Sequence, residues 1–100
     1  MIKIKVRRLN AIEQIKGLMF LKKAQPVLIN TRWGIHTFGV NFPIDIIILD
    51  KDNRVVKIKK DLKPNRIFLW NPKFARVLEL PQNTQNRFKI GDKLTLQILN

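Results

Sequence analysis

Cysteine and serine are both absent from this chain of 100 residues. Without cysteine, disulfides, thiolate metal sites and cysteine nucleophiles are excluded. Without serine, catalysis by a serine nucleophile is excluded as well. A small domain that folds without disulfides fits a reducing compartment, so we expect a cytoplasmic protein.

Long apolar runs are also lacking. No apolar run is longer than that of Ile46–Leu49, which is far shorter than a membrane span. The first residues, Ile2–Val6, alternate apolar and charged side chains, unlike the apolar stretch of a signal peptide. We therefore expect no membrane partner. No repeat, low-complexity tract or linker divides the chain, which predicts a single domain over residues 1–100.

Acidic residues are scarce, and this gives the sequence its most extreme property. Twenty Lys and Arg oppose seven Asp and Glu, for a formal net charge of +13. Heat adaptation usually enriches Glu together with Lys, but only two Glu are present. An AT-rich genome would favour Lys, Ile and Asn codons, so composition alone also explains the excess. On either account, this charge on a small body attracts polyanions.

β-Strands dominate the predicted secondary structure. Ile2–Val6 has the alternation of a half-buried strand, and the β-branched segment Phe42–Leu49 predicts a central strand. Val55–Lys59 returns after a turn with Asn53 as its left-handed residue, which predicts a hairpin. Apolar residues at helical spacing over Ala11–Met19 predict one short helix. Further strands are predicted at Val27–Ile29, Ile35–Phe38, Arg66–Trp70, Arg76–Leu80 and Lys93–Leu99, with a helical turn at Asn71–Ala75 and a tight turn at Gly91-Asp92.

This pattern predicts a mainly β fold. Several short strands separated by frequent turn signals are typical of an antiparallel β-sandwich or β-barrel. No alternation of strand and helix favours a parallel sheet. We therefore expect a single compact antiparallel sandwich or barrel with one short N-terminal helix.

Five short motifs, in order, resemble those of the family called domain of unknown function 192. They extend from about Ala11 to Leu96, nearly the whole chain. The motifs are Gly17–Phe20, Ile35–Gly39, Phe42–Asp45 with Leu49-Asp50, Val77–Pro81 and Ile90–Asp92. Two positions depart from the family pattern. Val40 stands where Met is usual, and Asn83 stands where Gly is usual, although Asn also tolerates a left-handed backbone.

The resemblance implies a compact β-rich fold, similar to a distorted jelly roll or barrel. It implies no particular activity, since the family is defined by sequence and not by a known function. The resemblance therefore supports the predicted fold class and leaves the function to be argued from individual residues.

Four residues form a candidate pocket near the central strands: His36, Thr37, Asp45 and Glu79. His36 is the only histidine. With the two carboxylates it has the chemistry of a metal site or an acid–base pair, provided that the three converge. Each also has a structural interpretation, because buried polar groups usually serve local hydrogen bonds or ion pairs. No catalytic residue, metal ligand or cofactor can be assigned from sequence.

A second candidate is basic. Arg54, Lys57, Lys59 and Lys60 form the densest cluster of positive charge, with Lys57 and Lys59 on one strand face. Such a cluster is either a solvated sheet edge or a sequence-independent phosphate contact. Trp33 and Trp70 lie near basic residues, so stacking on bases is a further interpretation, alongside core packing.

Three functions remain open. The first is a non-enzymatic binding or accessory module with a small pocket near the central strands. The second is nonspecific binding of nucleic acid or another polyanion. The third is an enzyme that uses His36 with a carboxylate. No phosphate-binding glycine loop, zinc motif or RNA-recognition motif favours a more specific assignment.

Overall fold

A computed structural model describes residues 2–8, 26–38, 42–81 and 88–98. The described residues form eight β-strands. In chain order they are β1 (Ile2–Arg8), β2 (Val27–Asn30), β3 (Gly34–His36), β4 (Ile44–Leu49), β5 (Val55–Leu62), β6 (Ile67–Leu69), β7 (Arg76–Pro81) and β8 (Leu94–Ile98).

Six of these strands make one sheet in the order β5-β4-β7-β2-β1-β8, and β3 pairs with β6 in a separate two-stranded ribbon. Strand β4 pairs antiparallel with β5 and β7, and β7 pairs antiparallel with β2. Strand β1 is parallel to both of its neighbours, β2 and β8. The sheet is therefore mixed.

Strand β4 is central because its side chains are apolar on both faces. All six of its residues are buried, as a strand covered on both sides requires. The predicted central strand and its hairpin with β5 are confirmed. Asn53 has φ 63° in the turn. The Asp50 carboxylate accepts the backbone N–H groups of Asp52 and Arg54 at 2.8 and 3.0 Å, and the bond from Arg54 lowers the pKa of Asp50.

The six-stranded sheet carries one apolar cluster on each face, which we call face A and face B. Face A contains Val27, Ile29, Ile44, Ile46, Ile48, Leu62, Trp70 and Val77. Face B contains Ile4, Val6, Leu28, Ile47, Leu49, Val55, Leu78, Leu80, Phe88 and Leu94. Alternate residues of β4 and β7 enter opposite clusters, in accordance with the two-residue period of a strand.

The β3–β6 ribbon packs on face A. Ile35 and Phe68 are paired across the ribbon, and both contact the face A cluster. The neighbouring pairs, His36 with Ile67 and Gly34 with Leu69, point the other way because side chains alternate along a strand. One side of the ribbon therefore belongs to the core, and the other side is its outer face.

The predicted antiparallel sandwich or barrel is wrong, although the mainly β class is confirmed. Among the described strands the large sheet is open, with β5 and β8 as its two ends, and two of its pairings are parallel. The bridge between Arg54 and Lys93 connects those ends, together with backbone hydrogen bonds from Val55 N–H to Asp92 O at 2.8 Å and from Leu94 N–H to Asn53 O at 2.9 Å. Parallel pairing of the first strand with the last leaves no trace in local periodicity, so the sequence pattern could not show it. The predicted helix over Ala11–Met19 lies outside the described residues.

Two of the predicted turns lie before β7 and before β8. The segment from Asn71 to Ala75 forms a turn and not a helix. In this turn, Phe74 N–H donates to Asn71 O at 3.1 Å. Gly91 has φ 94° in the turn before β8, a backbone conformation that glycine adopts without steric cost. The tight turn is confirmed, and the helical turn is replaced by a shorter one.

Candidate functional site

The two buried carboxylates lie on opposite faces of the sheet. In the β4–β7 register, Glu79 is opposite Ile46 and Asp45 is opposite Leu80. Directly paired residues share a face, so Glu79 is on face A and Asp45 is on face B. The structure therefore does not bring these two carboxylates together.

Asp45 holds a loop in place. Its side chain is 4% exposed, and its Oδ1 accepts the backbone N–H of Asp61 at 2.9 Å. Asp61 lies at an irregularity in the β4–β5 register and has φ 58°, so this part of β5 departs from regular pairing. The Asp45 carboxylate thus fixes the backbone where β5 leaves the regular ladder.

Thr37 holds the next part of the same segment. Its side chain is fully buried. The hydroxyl donates to Lys63 O at 2.7 Å and accepts the backbone N–H of Arg66 at 2.9 Å. Its backbone N–H donates to Arg66 O at 2.9 Å. Thr37 therefore braces the connection between β5 and β6, which includes Asn65 at φ 61°.

His36 is exposed on the outer face of the ribbon. Its ring stacks on Phe38 with centroids 5.1 Å apart, and its Nδ1 accepts the Phe38 backbone N–H at 3.3 Å. It is paired across the ribbon with Ile67. His36 is thus placed on a surface rather than in an enclosed site with either buried carboxylate.

Glu79 is the least compensated charged group among the described residues. It is 5% exposed, with Val27 opposite it on β2 and Ile46 opposite it on β4. Within the described part of the chain, no hydrogen bond or ion pair reaches its carboxyl group. Loss of solvation raises the pKa of Glu79 from 4.5 to about 7. The protonated form is therefore favoured in the fold up to near-neutral pH.

A groove of about 460 Å³ lies beside these braced segments. We call it the basic groove. It is lined by Lys59, Asp61, Leu62, Lys63, Arg66, Ile67 and Phe68. Three cationic side chains thus oppose one carboxylate. Lys57 adds a fourth cation next to the groove, with its Nζ 5.2 Å from the centroid of the Phe68 ring.

The predicted basic cluster is divided by the structure. Lys57 and Lys59 lie opposite Ile48 and Ile46, so they share face A as the sequence predicted. Lys60 is exposed on the same strand. Arg54 lies at the other end of β5, where its guanidinium donates to Gly91 O at 3.3 Å and its backbone bridges Lys93. Only part of the predicted cluster is therefore at the groove.

Sequence reasoning missed Lys63 and Arg66 as groove residues. They flank Pro64-Asn65, and this pair is a turn signal between two strands. A turn between two strands with a basic residue on each side is the sequence feature that could have indicated these two groove residues. Thr37 and Asp45 were predicted to line a pocket. They are not among the residues that line the basic groove, but they form hydrogen bonds to the segment that lines it.

Exposed apolar side chains lie on the outer face of the ribbon, at Ile67 and Leu69, and beside the two ends of β3, at Trp33 and Phe38. Trp33 is 69% exposed, Phe38 47%, Ile67 63% and Leu69 65%. We call these four residues the ribbon patch. Trp33 has φ 78°, and Gly34 N–H donates to Arg32 O at 2.9 Å, which is the bonding of a γ-turn of the rare positive-φ kind. For a bulky residue this conformation costs about 1–3 kcal/mol.

In the described ranges, no group of three or more His, Asp or Glu side chains is placed to hold a metal ion. None of the described elements is a helix with the length and apolar character needed to cross a bilayer.

Together, the mixed six-stranded sheet and the two-stranded ribbon that covers it define a small β-rich domain. The family model of domain of unknown function 192 (DUF192, Uncharacterized ACR) matches residues 2–97. The chain belongs to this family, and the resemblance predicted from its motifs is confirmed.

Solved structures agree on the fold. A protein of unknown function from Novosphingobium aromaticivorans DSM 12444 is 25% identical, with a TM-score of 0.72 over 88% of this chain and 70% of that one. A protein from Sinorhizobium meliloti 1021, described as a candidate transcription regulator, is 19% identical, with a TM-score of 0.75 over 88% of this chain and 76% of that one. The second likeness shows the fold alone. Among curated proteins, no significant match was found.

Proposed function

We propose that this chain is a non-enzymatic binding module that holds an anionic ligand in the basic groove. The observation that carries the proposal is the lining, which places Lys59, Lys63 and Arg66 around one concavity with a single opposing carboxylate from Asp61. Three cations gathered around one recess attract an anion more strongly than the same charges spread over a convex surface.

The support of the groove favours binding over a passive charged edge. Two buried polar side chains, Thr37 and Asp45, fix its backbone through the bonds to Lys63, Arg66 and Asp61. A ligand that meets a preformed site loses less free energy to ordering the protein. A solvated row of lysines would not need buried side chains to hold its backbone in place. The buried hydrogen bonds of Thr37 and Asp45 therefore favour a preformed binding site.

The same placement reduces the case for an enzyme. Asp45 and Glu79 are on opposite faces, and His36 is on the outer face of the ribbon. An acid–base mechanism needs its proton donor and acceptor within hydrogen-bond reach of one substrate atom. The described geometry supplies cationic attraction rather than such a pair, so binding is the function that it supports best.

Charge-matched variants test this proposal. Lys59→Gln with Lys63→Gln removes two positive charges from the groove. Lys3→Gln with Lys5→Gln removes two exposed charges from β1, which is four strands away from β5 in the sheet. Binding of long-chain inorganic polyphosphate would be measured by calorimetry over a range of salt concentrations.

The double variant Lys59→Gln, Lys63→Gln should weaken polyphosphate binding roughly 2- to 30-fold, because each exposed ion contact contributes about 0.2–1 kcal/mol. It should also reduce the dependence of affinity on salt, since fewer counterions are released. The control variant Lys3→Gln, Lys5→Gln should change the affinity for polyphosphate much less. Equal effects of the two pairs would show that net charge alone governs binding, and the proposal would then be abandoned.

A further inference from the structure

We infer that the ligand is a single-stranded nucleic acid, with phosphates in the basic groove and bases on the ribbon patch. This inference rests on the proposed function and specifies its ligand. The decisive observation is that Ile67 belongs to both surfaces, since it lines the groove and is 63% exposed on the outer face of the ribbon. The cationic recess and the apolar patch are therefore contiguous.

The ribbon patch has the chemistry of a stacking surface. Trp33 and Phe38 are exposed aromatic side chains at the two ends of β3. Phe38 is already stacked with His36, at 5.1 Å between centroids and 27° between planes, so it extends an existing ring pair. Bases stack on such rings without sequence preference, because every base presents a π-face.

The backbone around Trp33 is fixed in position. Arg32 donates to Pro72 O at 2.7 Å and to Lys73 O at 3.3 Å, which ties its side chain to the loop after β6. Trp33 O accepts the Trp70 N–H at 3.0 Å. Bonds on both sides thus hold the strained γ-turn that carries this exposed indole. Strained backbone that persists at the surface is concentrated at ligand sites.

A single-stranded nucleic acid is the ligand that matches both the charge of the groove and the apolar character of the patch. Each nucleotide of a single strand carries one anionic phosphate and one flat base, which match the groove and the patch at the same time. In a duplex the bases are paired and stacked, so only the phosphates would be available. A flat anionic membrane would meet the patch but could not enter the recess that Lys59, Lys63 and Arg66 line.

Tryptophan fluorescence provides a direct test with the full chain. Trp33 is exposed and Trp70 is 6% exposed, so a ligand on the patch should quench the emission of Trp33 alone. The probe is oligodeoxythymidylate, compared with an abasic strand of the same length, a duplex of the same length, polyphosphate, and phosphatidylglycerol vesicles. The variants are Trp33→Ala and Phe38→Ala, with Ile90→Ala as a matched control because Ile90 is a 63% exposed apolar residue outside the patch.

We expect oligodeoxythymidylate to quench Trp33 and to bind more tightly than the abasic strand and the duplex. Trp33→Ala should weaken oligodeoxythymidylate binding roughly 5- to 150-fold, the loss typical of one base-stacking ring, while polyphosphate binding stays unchanged. Phe38→Ala should act in the same direction, and Ile90→Ala should have no effect. Unfolding by urea would confirm that each variant is folded.

Other outcomes would overturn the inference in distinguishable ways. Equal affinity for the abasic strand, with no effect of Trp33→Ala, would leave an anion-binding groove without base stacking. Equal affinity for the duplex and for oligodeoxythymidylate would also show that the groove binds phosphates without base stacking on the patch. A blue shift of Trp33 emission with vesicles but not with oligodeoxythymidylate would identify a membrane surface instead. Failure of both oligonucleotide and polyphosphate to bind would overturn the proposed function as well.

Discussion

Replacement of Glu79 by glutamine should stabilise the protein above neutral pH and leave its stability almost unchanged in acid. Glu79 is 5% exposed on face A, with the apolar side chains of Val27 and Ile46 beside it. Glutamine keeps the shape of the protonated acid and cannot ionise. The variant therefore removes the cost of burying a charge and little else.

The structure sets the magnitude. Burial raises the pKa of Glu79 from 4.5 to about 7, and each tenfold change in acidity corresponds to about 1.4 kcal/mol. The folded state should therefore lose about 3 kcal/mol to this one carboxyl group at pH 8. That is a large part of the 5–15 kcal/mol by which a typical domain is stable.

The direction follows from linkage. The pKa of Glu79 is higher in the folded state than in the unfolded state, so the folded state binds more protons. The full stability contribution is present below pH 4.5, is lost as the pH rises from 4.5 to about 7, and stays lost above that. The difference between variant and parent should therefore be near zero at pH 4 and about 3 kcal/mol at pH 8.

Urea unfolding at several pH values, followed by tryptophan fluorescence, measures this difference. Other titrating groups cancel because both proteins contain them. Glu79→Asp is the matched control, since it keeps an ionisable carboxyl group and should retain the loss of stability with rising pH. If the curves of the parent protein and Glu79→Gln ran parallel from pH 4 to 8, Glu79 would not be the buried, uncompensated acid that we describe.

Two further predictions concern the ribbon and its support. Thr37→Val should destabilise the fold by about 1–3 kcal/mol in urea unfolding, because it leaves the Lys63 and Arg66 backbone groups unsatisfied, whereas Thr37→Ser should retain most of the stability. A Thr37→Val protein as stable as the parent would contradict this role. Gly34→Ala should cost about 1–3 kcal/mol, because its Cβ would lie 2.5 Å from Leu69 Cδ2 and 2.7 Å from Phe68 O. Adding Leu69→Ala should restore only part of that loss, since the backbone oxygen remains, and complete recovery would show that the side chain alone caused it.

Much of the strand pattern could be predicted because it depends on local sequence. The apolar, β-branched run from Ile44 to Leu49 specifies a strand covered on both faces, and Asn53 supplies the left-handed residue that the following hairpin needs. The alternation in β1 likewise needs no knowledge of its partners. The partners themselves, β2 and β8, are distant in sequence, so the parallel pairing and the open sheet were not predictable in this way.

The candidate site was only partly accessible to sequence reasoning, for the same physical reason. Lys57 and Lys59 were correctly predicted to share a face because a strand has a two-residue period. That Arg66 and Lys63 meet Lys59 around one recess depends on how the β5–β6 connection folds over the sheet edge. No spacing in the sequence records that contact.

The sequence by itself determined the local properties: the positive charge, the absence of thiol and serine chemistry, the strands and the family motifs. Tertiary structure decided which side chains meet. It placed Asp45 and Glu79 on opposite faces through a register offset of one residue, and it joined the basic groove to the ribbon patch at Ile67. Local backbone preferences act over a few residues, whereas a binding surface is assembled from strands that only the folded chain brings together.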